Sequence, residues 1–296
     1  MSLLTPERVP VQVYKWDDAG APALDKTAGC VATIFKACLV TGYATKESAG
    51  WTIPFEDTAA GIKVLRPPEN PHSDFYLKLS ADTGTQMTAQ IYQNMTNISN
   101  GDLKLQSDQP FKYNKAQQGT KWALIATSRG FFFFTNQYYV GTASQTGSYF
   151  YVGSNVSNKG LQYTYLHHAG GTADNGNHIN PLSYQKDTYQ TTAALSSPAK
   201  ILLDNGSVVS AVPKSLSGYN GFGNVWNDFI LSPIGFSLAN DVFIMPWIYT
   251  SANGATKNNF DAVTVGDAEN VRQMLVFGLG TNGESNFYIP TDYWSY

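Results

Sequence analysis

Lys121-Trp122-Ala123-Leu124-Ile125-Ala126-Thr127-Ser128-Arg129-Gly130-Phe131-Phe132-Phe133-Phe134-Thr135, running on to Val140, is the stretch that decides the fold. Trp122 to Thr127 is rich in large and branched residues. Ser128-Arg129-Gly130 is a short polar break, and Phe131 to Phe134 opens a second run at once. Two such runs joined by a few residues containing Gly predict a β-hairpin over 121–140. Successive side chains alternate sides along a strand, so four phenylalanines in a row put rings on both faces. A strand apolar on both faces is covered on both, which makes this hairpin central in its sheet. No polar group beside the rings suggests a cofactor pocket, so they read as core.

The surrounding composition agrees. Charged residues are 14%, below the usual quarter of a globular chain, and Gly (26), Tyr (18), Phe (16) and abundant Asn, Thr and Ser take their place. That is the make-up of a mainly β protein with many turns. A length of 296 residues allows one large domain or two ordinary ones. The net charge of −3, with no basic run, argues against a nucleic-acid partner. No apolar run approaches the roughly 18–20 residues that span a bilayer. The opening MSLLTPERVPVQ lacks the apolar core of a signal peptide, so synthesis in the cytoplasm is expected.

Working outward, Val9, Val11 and Val13 alternate with Pro10, Gln12 and Tyr14 as a half-buried strand. Val31, Ile34, Phe35, Cys38 and Leu39 recur at helical spacing and predict one amphipathic helix over about 28–41, capped by Thr27 and stopped by Gly42. Cys30 and Cys38 would lie about 12 Å apart along that axis. A disulfide needs Cα atoms within about 7 Å, so both read as small buried hydrophobes. Strands are expected at 51–55, 61–65, 75–79, 86–93, 147–153, 200–203, 207–212, 229–231, 241–249 and 272–277, with Pro246 marking an edge or a bulge. Residues 94–119 read as a polar loop. So do 166–199, whose core 167–192 has almost no aliphatic content; a loop of that length is a contact-making segment or a disordered one. The organisation expected is a β-rich N-terminal domain over 1–165, the polar connection 166–199, and a β-rich part over 200–296, either a second domain or a continuation. The fold class is mainly β, with antiparallel β-sandwich-like sheets and one N-terminal helix.

The motifs carry little chemistry. Gly278-Leu279-Gly280-Thr281-Asn282-Gly283 matches G-x-G-x-x-G, but a strand-like run, Phe287-Tyr288-Ile289-Pro290, stands where a dinucleotide fold needs a helix. It reads as a glycine turn. His167, His168 and His178 lie in the polar stretch without Cys or Glu nearby, and read as exposed loop residues. Gly235-Phe236-Ser237-Leu238-Ala239 lacks the second glycine of a nucleophile elbow. No catalytic, cofactor-binding or metal-binding residue is assigned, and no cofactor.

Thr27-Ala28-Gly29 with Ala37-Cys38-Leu39-Val40-Thr41-Gly42-Tyr43, followed by Ala49-Gly50-Trp51-Thr52, resembles the start of a widespread group of tailed-bacteriophage virion proteins. The likeness continues through Phe75 to Leu79, Gln90 to Thr96, Trp122 to Thr127 with Phe131 to Phe134, and Tyr149 to Gly153. It covers roughly residues 12–165. In that group a carboxylate commonly stands where this chain has Thr127. The resemblance brings no catalytic residues. It implies a structural component of a phage virion, in head, collar or tail, made in the host cytoplasm and acting through interfaces with copies of itself and other virion proteins. Residues 166–192 and the aromatic tail 287–296 are the expected contact segments, the tail being able to tie down on its own chain or on a neighbour. The alternative is a receptor- or glycan-binding module of the tail, with a host-surface glycan as partner. A depolymerase is a third reading, for which no carboxylate pair stands out.

Overall fold

The computed structural model describes residues 7–71, 73–106, 110–113, 120–135, 148–156, 162–169, 182–187, 190–195, 199–203, 206–211, 214–215, 232–238, 241–251, 260–265, 271–278 and 286–296; beyond residue 166 parts of the strands are described by backbone alone. The chain is mainly β, built of antiparallel sheets with one short helix near its N-terminal side.

The hairpin Trp122–Ala126 and Gly130–Thr135 lies inside a seven-stranded sheet. Its order is Val208–Ala211, Ala199–Leu203, Gln162–Ala169, Tyr149–Val156, Gly130–Thr135, Trp122–Ala126, Gln12–Lys15. Phe132 pairs with Ile125 on one side and Tyr151 on the other. All four phenylalanine rings are fully buried. Alternation divides them between two cores. Phe131 and Phe133 join Phe35 of the helix, Trp51 and the apolar face of a second sheet, whereas Phe132 and Phe134 join Phe277 and Ile289 of a third, together with Trp294 near the C-terminal end. Burial of one such ring is worth about 1.5–3 kcal/mol, so this strand bonds the layers on either side of it.

The second sheet comprises Thr52–Asp57, Ile62–Arg66, Tyr76–Ser80, Gln86–Met95 and Gly101–Gln106, with Phe111–Lys112 paired to Gln86–Met95 as its sixth strand. The third, eight-stranded, runs Leu182–Asp187, Gln190–Leu195, Lys214–Ser215, Ser232–Leu238, Asp241–Ser251, Asn286–Pro290, Arg272–Gly278, Ala262–Val265. The architecture is therefore a stack of three antiparallel sheets, the seven-stranded one in the middle. Ala199–Leu203 pairs directly with Gln162–Ala169, so that sheet draws strands from both sides of the expected connection 166–199.

The helix is shorter and differently capped than its periodicity suggests. Cys30–Lys36 is α-helical and Ala37–Thr41 continues as a π turn, closed by the Gly42 N–H on the Ala37 carbonyl at 2.8 Å. Thr27 does not cap it, because its hydroxyl turns back to Asp25 at 2.7 Å. The cap comes from Asp82, whose Oδ2 accepts the Ala32 N–H at 2.9 Å and whose carbonyl accepts the Gly29 N–H at 3.0 Å. Cys30 and Cys38 are both free and buried.

Both stretches read as polar loops contain strands. Residues 94–119 hold Gly101–Gln106 and Phe111–Lys112. Within 166–199, Leu182–Asp187 and Gln190–Leu195 form a hairpin registered from Leu182↔Leu195 to Asp187↔Gln190. Their sequences lack the apolar alternation that marks a half-buried strand, yet the backbone ladder forms regardless of it. Residues 170–181 and the expected strand 229–231 lie outside the described residues. Pro246 marks a bulge, not an edge. Tyr249 pairs with Pro233 and Met245 with Ile234, which leaves residues 246–248 without opposite partners inside the strand.

The tail ties down on its own chain. Asn286–Pro290 is an inner strand, and Tyr293–Ser295 pairs with Arg8–Pro10, Val9 opposite Trp294. Trp294 is fully buried, 6.1 Å from the Tyr151 ring, with its indole N–H on the Pro290 carbonyl at 3.2 Å. Trp294, one of the aromatic residues of this tail, is thus held in the core of its own chain.

Candidate functional site

Polar groups meet in three places. The first is the hairpin turn. Thr127 Oγ1 accepts the Arg129 N–H at 3.0 Å and pairs with the Tyr296 hydroxyl at 2.9 Å, while the Thr127 carbonyl accepts the Trp51 indole N–H at 3.1 Å. Arg129 is 2% exposed, ion-paired to Glu7, with its guanidinium 4.6 Å from the Tyr296 ring centroid. Burial pushes the Tyr296 hydroxyl pKa up. Thr127 thus joins the turn to the tail. This cluster fastens the two ends of the described chain to the middle sheet, with Thr127 and Arg129 buried and Glu7 reaching solvent.

The second is the helix cap. Asp82 Oδ1 also accepts the Gly84 N–H at 3.2 Å and a hydrogen bond from the Tyr113 hydroxyl. Burial first, and then the Asp82 contact, push the Tyr113 hydroxyl upward, and burial does the same to the Cys30 thiol. A carboxylate that accepts two backbone N–H groups and a hydroxyl is engaged in holding the helix.

The third is open. Where the middle sheet projects past the six-stranded sheet, a groove of about 450 Å³ runs between them. Its middle-sheet wall follows from strand alternation. Phe150, Val152 and Leu166 lie on the face buried against the six-stranded sheet. Continuing along that face by steps of two gives Ser154 on one strand and Thr164 then Gln162 on its neighbour. Ser154 and Thr164 are directly paired, their hydroxyls 2.8 Å apart. Gln162 donates its amide to the Pro71 carbonyl at 3.2 Å, which pins the opposite rim to the wall. The facing side carries Asp74, Gln93 and Lys104. Asp74 is 3.1 Å from Arg66 and Lys104 is 2.7 Å from Asp102, so each charge in the groove has its countercharge beside it.

The residues singled out in the sequence do not converge on any of these places, Thr127 excepted. His167 and His168 lie within the strand Gln162–Ala169, opposite Tyr151 and Phe150, and not in a loop; His178 lies outside the described residues. Gly278 ends one strand and Asn286 begins its antiparallel partner, so a strand follows the glycine run where a dinucleotide fold needs a helix; residues 279–285 lie outside the described residues. Gly235 to Leu238 belong to the strand Ser232–Leu238. No group of three His, Cys, Asp or Glu that could hold a metal ion occurs among the described residues. The groove residues come from six separate segments. The one local signal for them is the switch from Phe150 and Val152 to Ser154, and from Leu166 to Thr164 and Gln162, along a single face.

No protein-family model matches the chain, and no match was found among curated proteins or among solved structures.

Proposed function

We propose that this chain is a structural component of a tailed-bacteriophage virion that works through protein–protein interfaces in a symmetric assembly. The observation that carries the reading is where its exposed apolar side chains lie. Among the described residues the large apolar side chains left exposed are Leu103, Val208 and Val271. Leu103 sits on Gly101–Gln106 and Val208 on Val208–Ala211, edge strands of the six- and seven-stranded sheets. An edge strand carries unpaired backbone N–H and C=O groups, and an apolar residue on it favours pairing with another chain. The buried charges support the same reading, since Asp82 and Arg129 serve the helix cap and the terminal junction. The resemblance of residues 12–165 to phage virion proteins supplies the particle as context, and closed symmetry is the usual form of such assemblies.

Sedimentation of the purified chain, and of Leu103→Asp and Val208→Asp variants, tests the interface. Assembly of the parent chain, with at least one variant shifted to monomer at unchanged circular dichroism, is the expected result. A parent chain monomeric at every concentration, and absent from purified phage particles by mass spectrometry, overturns it.

A further inference from the structure

We infer that the groove between the six- and seven-stranded sheets is a binding site for a neutral carbohydrate. This does not depend on the assembly reading, because the groove is complete within one chain.

Its size and lining select the ligand class. A cavity of about 450 Å³ falls in the range of small-molecule sites and has room for one or two sugar rings. Its side chains are amides (Gln93, Gln162), hydroxyls (Ser154, Thr164) and one group of each charge (Asp74, Lys104). Sugar hydroxyls both donate and accept, and a set of amides, hydroxyls, a carboxylate and an ammonium offers both functions at short spacing. Leu202, whose side chain is on the groove face of the middle sheet, adds an apolar patch to the same wall, suited to the C–H face of a pyranose ring.

Competing ligand classes fit less well. Asp74 and Lys104 are each neutralised by a neighbour, at 3.1 and 2.7 Å, so the groove has no uncompensated cation to hold a phosphate or a carboxylate. On the middle-sheet wall Gln162–Ala169 and Ala199–Leu203 are paired on both edges, so that wall presents side chains and no free strand edge for an extended peptide; the edge strand Gly101–Gln106 faces it across the groove. Ser154 is 2% exposed and fixed by its bond to Thr164, and Gln162 is anchored on Pro71, so part of the lining is already set in place.

The test is an NMR titration of isotope-labelled protein with glucose, galactose, N-acetylglucosamine and their neutral disaccharides, with inorganic phosphate as the charged control. Saturable shifts at the backbone amides of Gln93, Lys104, Ser154, Gln162 and Thr164 for at least one sugar are expected, with none for phosphate. Gln93→Ala and Thr164→Val should each weaken that binding about tenfold, the loss of one or two good hydrogen bonds, with the thermal midpoint within a few degrees of the parent. No saturable shift with any sugar overturns the inference. So do shifts centred elsewhere, phosphate binding in the groove, or undiminished affinity in both variants.

Discussion

The Asp82 carboxylate accepts the backbone N–H of Ala32 at 2.9 Å across 50 positions of sequence, and so caps a helix that has no side-chain cap of its own. The same group holds Gly84 and Tyr113, which makes it the joint between the helix and the six-stranded sheet. Asp82→Ala removes the cap and strands the Tyr113 hydroxyl. A loss of about 2–4 kcal/mol is expected from a cap combined with a buried bond. Urea denaturation measures it, and an unchanged midpoint would show that the helix stands without Asp82.

The two faces of the phenylalanine strand should be energetically separable. Phe35 lies 5.1 Å from Phe133, ring centroid to centroid, and packs in the same core, whereas Phe132 belongs to the core on the other face. Single Phe→Leu changes keep the fold within reach of its limited stability. In double-mutant cycles, Phe35→Leu with Phe133→Leu should couple by about 0.5 kcal/mol or more, and Phe35→Leu with Phe132→Leu should add within about 0.5 kcal/mol. Equal coupling in both cycles would mean that the sheet transmits strain between its faces.

Acid should weaken the C-terminal strands through Asp292. Burial raises its carboxyl pKa, but the Arg272 guanidinium at 2.7 and 2.8 Å and the Tyr293 N–H at 2.7 Å outweigh that and leave it lowered. Because the folded pKa lies below the unfolded value of about 3.9, the protonated form favours unfolding. The contribution is complete above about pH 3.9 and disappears as the pH falls through the folded pKa. Asp292→Asn should therefore be less stable than the parent at neutral pH, and the gap should narrow below about pH 4. A gap that stays constant down to about pH 2 would rule out this linkage.

Gly84 should resist substitution where Gly61 does not. Both have positive φ, at 86° and 65°. A Cβ on Gly84 would lie 1.9 Å from the Lys26 carbonyl oxygen, whereas one on Gly61 meets nothing within 4 Å. Gly61→Ala should cost about 1–2 kcal/mol, the left-handed strain alone. Gly84→Ala must also displace backbone beside the Asp82 cap, and should lose at least twice as much or fail to fold. Thermal melts of the two variants settle the comparison.

What could be read from the sequence is what local pattern encodes. The Phe131–Phe134 strand, its two-sided burial and the helix near 30–41 leave their mark within a dozen residues. The Asp82 cap does not, since Asp82 looks like any turn aspartate until the fold brings it to Ala32. Leu182–Asp187 and Gln190–Leu195 were hidden for another reason. Their residues, LSYQKD and QTTAAL, carry no period-two apolar signal, so only their mutual ladder identifies them. The groove was hidden because it is a relation between sheets. Thr164 and Gln162 become informative only once Leu166 is known to be covered and they are not.

The pairing of Val9 with Trp294 sets an order of events in the living cell. A chain grows from its N-terminal side, so Arg8–Pro10 is made long before its partner strand, Val9 preceding Trp294 by 285 positions. Until Met245, Phe260, Phe277, Ile289 and Trp294 arrive, the rings of Phe132 and Phe134 have only their own sheet against them. Partners this far apart make for slow closure and a long exposure of aromatic surface. During that interval the nascent chain presents a sticky half-built layer, and it is then, more than after completion, that a chaperone or a premature encounter with a sister chain decides its fate.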